Sequence, residues 1–145
     1  ELVQDVVMKF QLQAEKLGIR LRTQFGANLP NAYGDIGLMQ RVLDNLIENA
    51  LRHTPEGGQV SVTLDANPDR LTVKVADNGC GIPPSELPHI FDRFYRMEKN
   101  RENVEHAGLG LAIAKRILDL HGSVIHADSV LQHGTTFEFH VPAYR

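Results

Sequence analysis

The stretch DIGLMQRVLDNLIENALRHTPEGG, residues 35–58, predicts the helix around which the rest of the fold is arranged. Its apolar residues recur at helical spacing, which indicates an amphipathic helix with one face against a core. Asp35 is a suitable N-cap, and Pro55-Glu56-Gly57-Gly58 ends the pattern. The predicted apolar stripe consists of Ile36, Met39, Leu43, Leu46, Ile47 and Ala50.

The polar residues of this helix fall on the side opposite the apolar stripe. At about 100° per residue, an arc of roughly 100° contains Asn45, Glu48, Asn49 and Arg52. An asparagine oxygen is a hard neutral ligand suited to Mg²⁺ beside nucleotide phosphates, and a nearby glutamate can accept a proton or orient a nucleophile. An ordinary solvated helix face is the alternative, and the segment taken alone favours it.

The flanking sequence gives the other elements by its periodicity. They are a helix over residues 2–17 that stops at Gly18, a strand over 19–25, a hairpin of strands over 60–64 and 71–75, a largely covered helix over 111–121, and strands over 124–127 and 136–141.

Length and composition fit one compact globular domain. The chain has 145 residues, 42% of them hydrophobic and 23% charged, and a single core commonly occupies about 100–150 residues. Its net charge of -3 provides no general attraction to nucleic acid or to anionic lipid. No apolar run reaches the roughly 20 residues of a membrane span. Because Glu1 already lies within a helical pattern, we expect the chain to be one piece of a longer protein.

A second polar and glycine-rich run, Asp77-Asn78-Gly79-Cys80-Gly81-Ile82, comes directly after a predicted strand. The carboxylate of Asp77 could accept the exocyclic amine of adenine, while Gly79 and Gly81 permit close backbone approach to a ligand. Asp-Asn-Gly is also common turn sequence, so a strand-ending turn without a ligand is the alternative.

Two later runs contain glycine beside a predicted element. Gly108-Leu109-Gly110-Leu111 opens a helix whose free N–H groups could hold phosphate, although it has neither the P-loop nor the dinucleotide-binding spacing. Tight helix packing explains it equally well. Gly134-Thr135-Thr136-Phe137 precedes the last strand, and a simple turn accounts for it.

Taken in order, these runs together with Phe91-Asp92-Arg93-Phe94 resemble the N, G1, F, G2 and G3 boxes of bacterial sensor histidine kinases over residues 38–141. The resemblance implies their ATP-binding catalytic domain. That domain is an α+β two-layer sandwich with a mixed, mostly antiparallel sheet, helices on one face and a mobile ATP lid between the F and G2 boxes. It also implies a cytoplasmic location within an inner-membrane sensor protein.

The resemblance further implies roles for single residues. Asn49 would coordinate Mg²⁺, and Glu48 would activate or orient the phosphoacceptor histidine. Arg52 and His53 would approach phosphate as the other catalytic residues, and Asp77 would read adenine. The residues that it implies for nucleotide binding are Asn45, Asn49, Asp77, Gly79, Gly81, Ile82, Phe94, Gly108, Leu109, Gly110, Leu111, Thr135 and Thr136.

The implied activity is transfer of the γ-phosphate of Mg-ATP to a histidine on a separate dimerisation domain, with a response regulator downstream. Glu105-His106-Ala107 stands where many members of the family have glycines, and side chains there would restrict approach to phosphate. A nucleotide-sensing regulatory module with little or no phosphotransfer is therefore the alternative. A third hypothesis, an ATP-driven clamp like the related chaperone and topoisomerase ATPases, is disfavoured by the short chain and by the F box.

Overall fold

The computed structural model describes residues 2–26, 31–32, 36–66, 69–92 and 110–144, without the side chains of residues 31, 32, 36, 143 and 144. Its elements in chain order are α1 (Leu2–Leu17), β1 (Arg20–Phe25), β2 (Asn31–Ala32), α2 (Ile36–His53), β3 (Gln59–Ala66), β4 (Arg70–Asp77), the short 3-10 helix η1 (Leu87–His89), α3 (Gly110–Leu120), β5 (His126–Val130) and β6 (Gly134–Tyr144).

The strands form one mixed sheet in the order β1, β3, β4, β6, with β5 and the two-residue β2 also paired to β6. Only β1 and β3 pair in parallel among the strands of the described ranges, and the other pairs are antiparallel. The predicted hairpin of residues 60–64 and 71–75 is confirmed, with Val62 opposite Val75. β6 pairs with β4 on one side and with β5 on the other. The start of β6 therefore lies next to both the end of β4 at Asp77 and the end of β5 at Val130.

The core lies between the sheet and the helices. On β3 the inward residues Val60, Val62 and Leu64 alternate with partly exposed ones, as expected for a sheet with one covered face. α2 packs against α1, α3 and the central strands, and Leu43, Leu46, Ile47 and Ala50 of its apolar stripe belong to the core. Each fully buried valine or leucine contributes about 1.5–3 kcal/mol relative to an exposed one. This arrangement confirms the predicted α+β sandwich, while the predicted lid lies mostly outside the described residues.

The structure differs from the prediction at several points, and β6, predicted over residues 136–141, spans Gly134–Tyr144. β5 begins at His126 and extends to Val130, later than the predicted 124–127. The short strand β2 was not predicted. The outer side of α3 is exposed, including Leu120 at 65%, because α3 is covered mainly on the side that packs on α2. None of the helices in the described ranges combines the length and the apolarity needed to cross a bilayer.

Candidate functional site

The polar side of α2 is not an ordinary solvated face. Asn49 is only 7% exposed although it lies on this side, and Asn45 and Glu48 are half-buried. The side-chain oxygen of Asn49 accepts a hydrogen bond of 3.3 Å from Arg52 Nη2. Arg52 Nη1 lies 3.9 Å from Glu48 Oε1. The structure therefore brings Glu48, Asn49 and Arg52 into one group, as the sequence predicted.

Arg52 is a charged group in a partly desolvated position. Burial lowers the pKa of its guanidinium from the usual arginine range, and the nearby carboxylate of Glu48 partly opposes this by raising it. The side chain keeps its positive charge at neutral pH, because an arginine pKa begins so high. His53, the last residue of α2, is half-buried beside it. A cation in such a position is available to an incoming anion.

The first residue of α3 lies next to Asn45. A Cβ built on Gly110 would come 3.7 Å from Asn45 Oδ1, which is ordinary contact distance. The amide nitrogen of Asn45 is buried and has no hydrogen-bond partner among the described residues. Buried donors are nearly always satisfied, so an unpaired one beside a helix N-terminus indicates a place for an acceptor. Tight packing does not require glycine at position 110, which disfavours that alternative for this residue.

The carboxylate of Asp77 is held at the end of β4. Its Oδ1 accepts a hydrogen bond of 2.9 Å from the backbone N–H of Gly79. Burial raises the pKa of this carboxyl from its usual 3.8, whereas hydrogen bonds from the backbone of Gly79 and of Thr135 lower it. Asp77 and Thr135 are opposite residues in the β4–β6 pair, so their side chains share a sheet face. The structure thus joins the Asp77–Ile82 run to the Gly134–Phe137 run.

Three glycines near Asp77 are required by close backbone contact. A Cβ on Gly79 would lie 2.2 Å from the carbonyl oxygen of His53, and one on Gly81 would lie 2.4 Å from that of Val130. A Cβ on Gly134 would lie 1.9 Å from the carbonyl oxygen of Asp77. Gly81 and Gly134 also have positive φ. The turns predicted at these runs exist, and they pack the loop after β4 between the end of α2 and the start of β6.

Ser129 links these turns, and it is not among the site residues predicted from the sequence. Its Oγ accepts a hydrogen bond of 2.7 Å from the N–H of Ile82. The same oxygen lies 3.1 Å from the carbonyl oxygen of Gly134 and 3.0 Å from Thr135 Oγ1. A serine on a short strand carries no ligand-binding pattern. The available signal was its position near the end of β5, separated from the Gly134-Thr135-Thr136 run only by the turn between β5 and β6.

The structure does not bring every predicted residue to this site. Thr136 pairs with Ala76 and Asp128, and it alternates with the buried Thr135 and Phe137, so it faces the uncovered side of the sheet, away from Asp77. Ile82 is buried in the loop after β4 and Leu111 is half-buried in the first turn of α3. Phe94, Gly108 and Leu109 lie outside the described residues, as do Asp35 and Glu105-His106-Ala107.

The metal predicted at Asn49 has one fitting donor in the structure. The Asn49 oxygen is a hard neutral ligand, and its bond to Arg52 is long enough to be exchanged. Within the described ranges, no three His, Cys, Asp or Glu side chains form a metal-binding group. Mg²⁺ commonly takes only one or two protein ligands and completes its shell with phosphate oxygens and water. The donor set therefore fits a Mg²⁺ ion that arrives with a nucleotide.

Comparison with known protein families gives a match over most of the chain. Residues 34–145 match the model of the histidine kinase-, DNA gyrase B-, and HSP90-like ATPases. The chain is 40% identical over 144 residues to the sensor histidine kinase WalK of Bacillus subtilis, covering 94% of this chain and 23% of WalK. It is 36% identical over 142 residues to the sensor protein SrrB of Staphylococcus aureus, covering 97% of this chain and 24% of SrrB. The chain thus spans about a quarter of the length of these two relatives.

Several solved histidine kinases have the same fold. The catalytic domain of histidine kinase ThkA superposes with a TM-score of 0.85 at 26% identity, covering 98% of this chain and 92% of that domain. Full-length ShkA in complex with AMPPNP superposes with a TM-score of 0.87 at 29% identity, covering 99% of this chain and 30% of ShkA. These matches confirm the family predicted from the five sequence motifs. The chain belongs to the histidine kinase-, DNA gyrase B-, and HSP90-like ATPases, as a catalytic domain of the sensor histidine kinase type.

Proposed function

We propose that this chain binds Mg-ATP and presents its γ-phosphate to a histidine on a separate dimerisation domain of the same parent protein. The observation that carries the proposal is the buried amide nitrogen of Asn45 beside the first residue of α3, which has no hydrogen-bond partner in the part of the chain that the structure describes. A phosphate oxygen would supply the missing acceptor, and the N–H groups at the start of α3 would favour its negative charge.

The base of the nucleotide would bind at the other end of the site. The Asp77 carboxylate, fixed by the N–H groups of Gly79 and Thr135, would accept the exocyclic amine of adenine. The loop after β4 cannot move closer to α2, because Gly79 already contacts the carbonyl of His53. The base position would therefore be set by backbone contacts rather than by flexible side chains.

The chemical step would depend on the group on α2. Asn49 would hold the metal, which when bound neutralises phosphate charge and orients the leaving group. Arg52 would exchange its contact with Asn49 for one with phosphate, because a hydrogen bond between two oppositely charged groups is stronger than one from the guanidinium to a neutral amide oxygen. Glu48 would orient the imidazole of the acceptor and take its proton. His53 would add a second donor near the phosphates.

The partners follow from the same proposal. ThkA, one of the similar structures, was solved in complex with the response regulator TrrA. We propose that the parent of this chain is a longer sensor protein, in an inner membrane, with its own dimerisation domain and a cognate response regulator. The chain would be its cytoplasmic catalytic domain, without membrane insertion or nucleic-acid binding of its own.

Titration calorimetry of the isolated chain with ADP and with a non-hydrolysable ATP analogue, with and without Mg²⁺, tests binding. Phosphotransfer is measured separately, in single turnover, with the full-length parent and labelled ATP. Asn49→Ala should weaken the Mg²⁺-dependent part of binding. Glu48→Gln should leave binding nearly intact and slow transfer about 100-fold or more, as for loss of a general base.

Lys115→Gln, at an exposed ion pair with Asp119 on α3, serves as the surface control. Failure of the unsubstituted chain to bind adenine nucleotide would overturn the proposal. Binding without transfer by the full-length parent would instead establish the nucleotide-sensing module. Transfer by Glu48→Gln at the parental rate would remove Glu48 from the chemical step.

A further inference from the structure

The hydroxyl of Ser129 has more close partners than it has hydrogens to donate. Ile82 N–H donates to Ser129 Oγ, which uses one lone pair. The single hydroxyl hydrogen of Ser129 can then go either to the carbonyl of Gly134 or to Thr135 Oγ1. The structure therefore permits two hydrogen-bond arrangements with the same heavy-atom positions.

The two arrangements leave the hydroxyl of Thr135 in different states. When Ser129 donates to Gly134, Thr135 can donate its hydrogen to Ser129 and is satisfied internally. When Ser129 donates to Thr135, the hydrogen of Thr135 is released for another acceptor. Thr135 is 6% exposed, so a released hydrogen that found no acceptor would be costly. An acceptor on a ligand beside Thr135 would make the second arrangement favourable.

We propose that Ser129 is a positioning residue for the base of the bound nucleotide, which it serves by directing the hydroxyl of Thr135 and by fixing the loop at Ile82. The inference rests on the proposed function. Without a nucleotide, the serine and threonine satisfy each other. With adenine bound, Ser129 donates to Thr135, and Thr135 donates to a ring nitrogen of the base while Asp77 accepts its amine.

This arrangement selects adenine over hypoxanthine by its hydrogen-bond pattern. Adenine has an acceptor nitrogen next to a donor amine, which matches a hydroxyl donor next to a carboxylate acceptor. Hypoxanthine has a donor N–H next to an acceptor carbonyl, so both contacts would be reversed. The effect of Ser129 should therefore be seen in base selectivity as well as in affinity.

Calorimetry of the whole chain with ADP and with inosine diphosphate tests this role. Ser129→Ala should weaken ADP binding about 10-fold, the effect of losing one buried hydrogen-bond network, and should reduce the ADP-to-IDP affinity ratio. Ser129→Thr keeps the hydroxyl and should restore both. Ser123→Ala is the matched control, because the buried hydroxyl of Ser123 donates to the carbonyl of His140 at a distance from this turn.

If the role of Ser129 is only structural, Ser129→Ala and Ser123→Ala should both lower the free energy of unfolding. Neither variant should then change the ADP-to-IDP affinity ratio. That result overturns the inference. If Ser129→Ala does not fold, Ser129→Cys, whose thiol is a weak hydrogen-bonding group, and Thr135→Val take its place. An unchanged ADP-to-IDP affinity ratio in either variant would also overturn the inference. Failure of the unsubstituted chain to bind ADP would overturn the proposed function as well, whereas an unchanged ratio with normal ADP binding removes only the role of Ser129.

Discussion

The carbonyl oxygen of Asp77 occupies the position where a side chain on Gly134 would have to begin: a Cβ at residue 134 would lie 1.9 Å from it. The end of β4 and the start of β6 can approach this closely only with glycine at that point. The contact places Thr135 next to the carboxylate of Asp77, and so it connects backbone packing with the proposed base site.

Gly134→Ala should therefore be strongly destabilising, by about 2 kcal/mol or more, since it combines a steric clash with the positive φ of 126°. Gly122→Ala is the control: φ is 72° there, and among the described residues no atom beyond its chain neighbours lies within 4 Å of the new methyl group. It should cost only about 1 kcal/mol of conformational strain. Urea unfolding measures both, and equal losses would show that the turn at Gly134 can relax.

A different outcome is expected where a glycine faces the phosphate end of the site. In Gly110→Ala the new methyl group would make only ordinary contact with Asn45, so the free energy of unfolding should stay within about 1 kcal/mol of the parent. The methyl group would nevertheless fill the gap between Asn45 and the start of α3. Affinity for ADP should fall about 10-fold, because phosphate could no longer approach the backbone.

Gly79→Ala is the comparison for Gly110→Ala. Its methyl group would clash with the carbonyl of His53 at 2.2 Å, so it should lose both stability and affinity. If Gly110→Ala bound ADP as tightly as the parent, the gap beside Asn45 would not be a phosphate site.

How far the sequence predicted this site depends on how local each signal is. The helical spacing of residues 36–53 gave α2 and its polar arc, because both are set by neighbours three and four positions apart. The burial of Asn49 could not be foreseen, since the spacing of residues 36–53 gives the polar side of α2 but not what the rest of the fold packs against it. Ser129 was missed for the same reason: it acts on Ile82, which is 47 positions away.

The placement of Thr136 was, by contrast, accessible from the sequence. Phe137, Phe139 and Val141 alternate as inward residues of β6, and that phase assigns Thr135 to the covered face and Thr136 to the open one. The resemblance to the G3 box treated the two threonines as equivalent, although adjacent residues of a strand point in opposite directions. Periodicity was the better guide at this pair.

The turn between β5 and β6 contains a residue that the fold holds in strain. Gln132 has a φ of 69°, and its N–H donates a hydrogen bond of 2.9 Å to the carbonyl of Cys80. Gln132→Gly should raise the free energy of unfolding by about 0.5–1 kcal/mol, because glycine adopts this conformation without steric cost. Gln132→Ala, which keeps the strain, should give no gain. Thermal unfolding of the three proteins measures the difference, and equal stability of the glycine and alanine variants would contradict the prediction.

Two opposing effects act on the carboxyl of Asp77, and the pH dependence of stability separates them. Burial raises its pKa above 3.8 and outweighs the hydrogen bonds from the backbone of Gly79 and Thr135. The folded state then binds the proton more tightly than the unfolded chain does, so this residue should destabilise the fold progressively as pH rises from 3.8 through the folded pKa.

Asp77→Asn has no proton to lose at this position. Its free energy of unfolding, minus that of the parent, should increase over that pH window and level off above the folded pKa, as measured by urea unfolding from about pH 4 to pH 7. Asp128→Asn, which removes an exposed carboxylate on β5, corrects for the change in net charge. A difference that decreases with rising pH would mean that the two N–H donors stabilise the carboxylate by more than its burial costs. Asp77 would then be a preformed, fully charged acceptor for the base before any nucleotide binds.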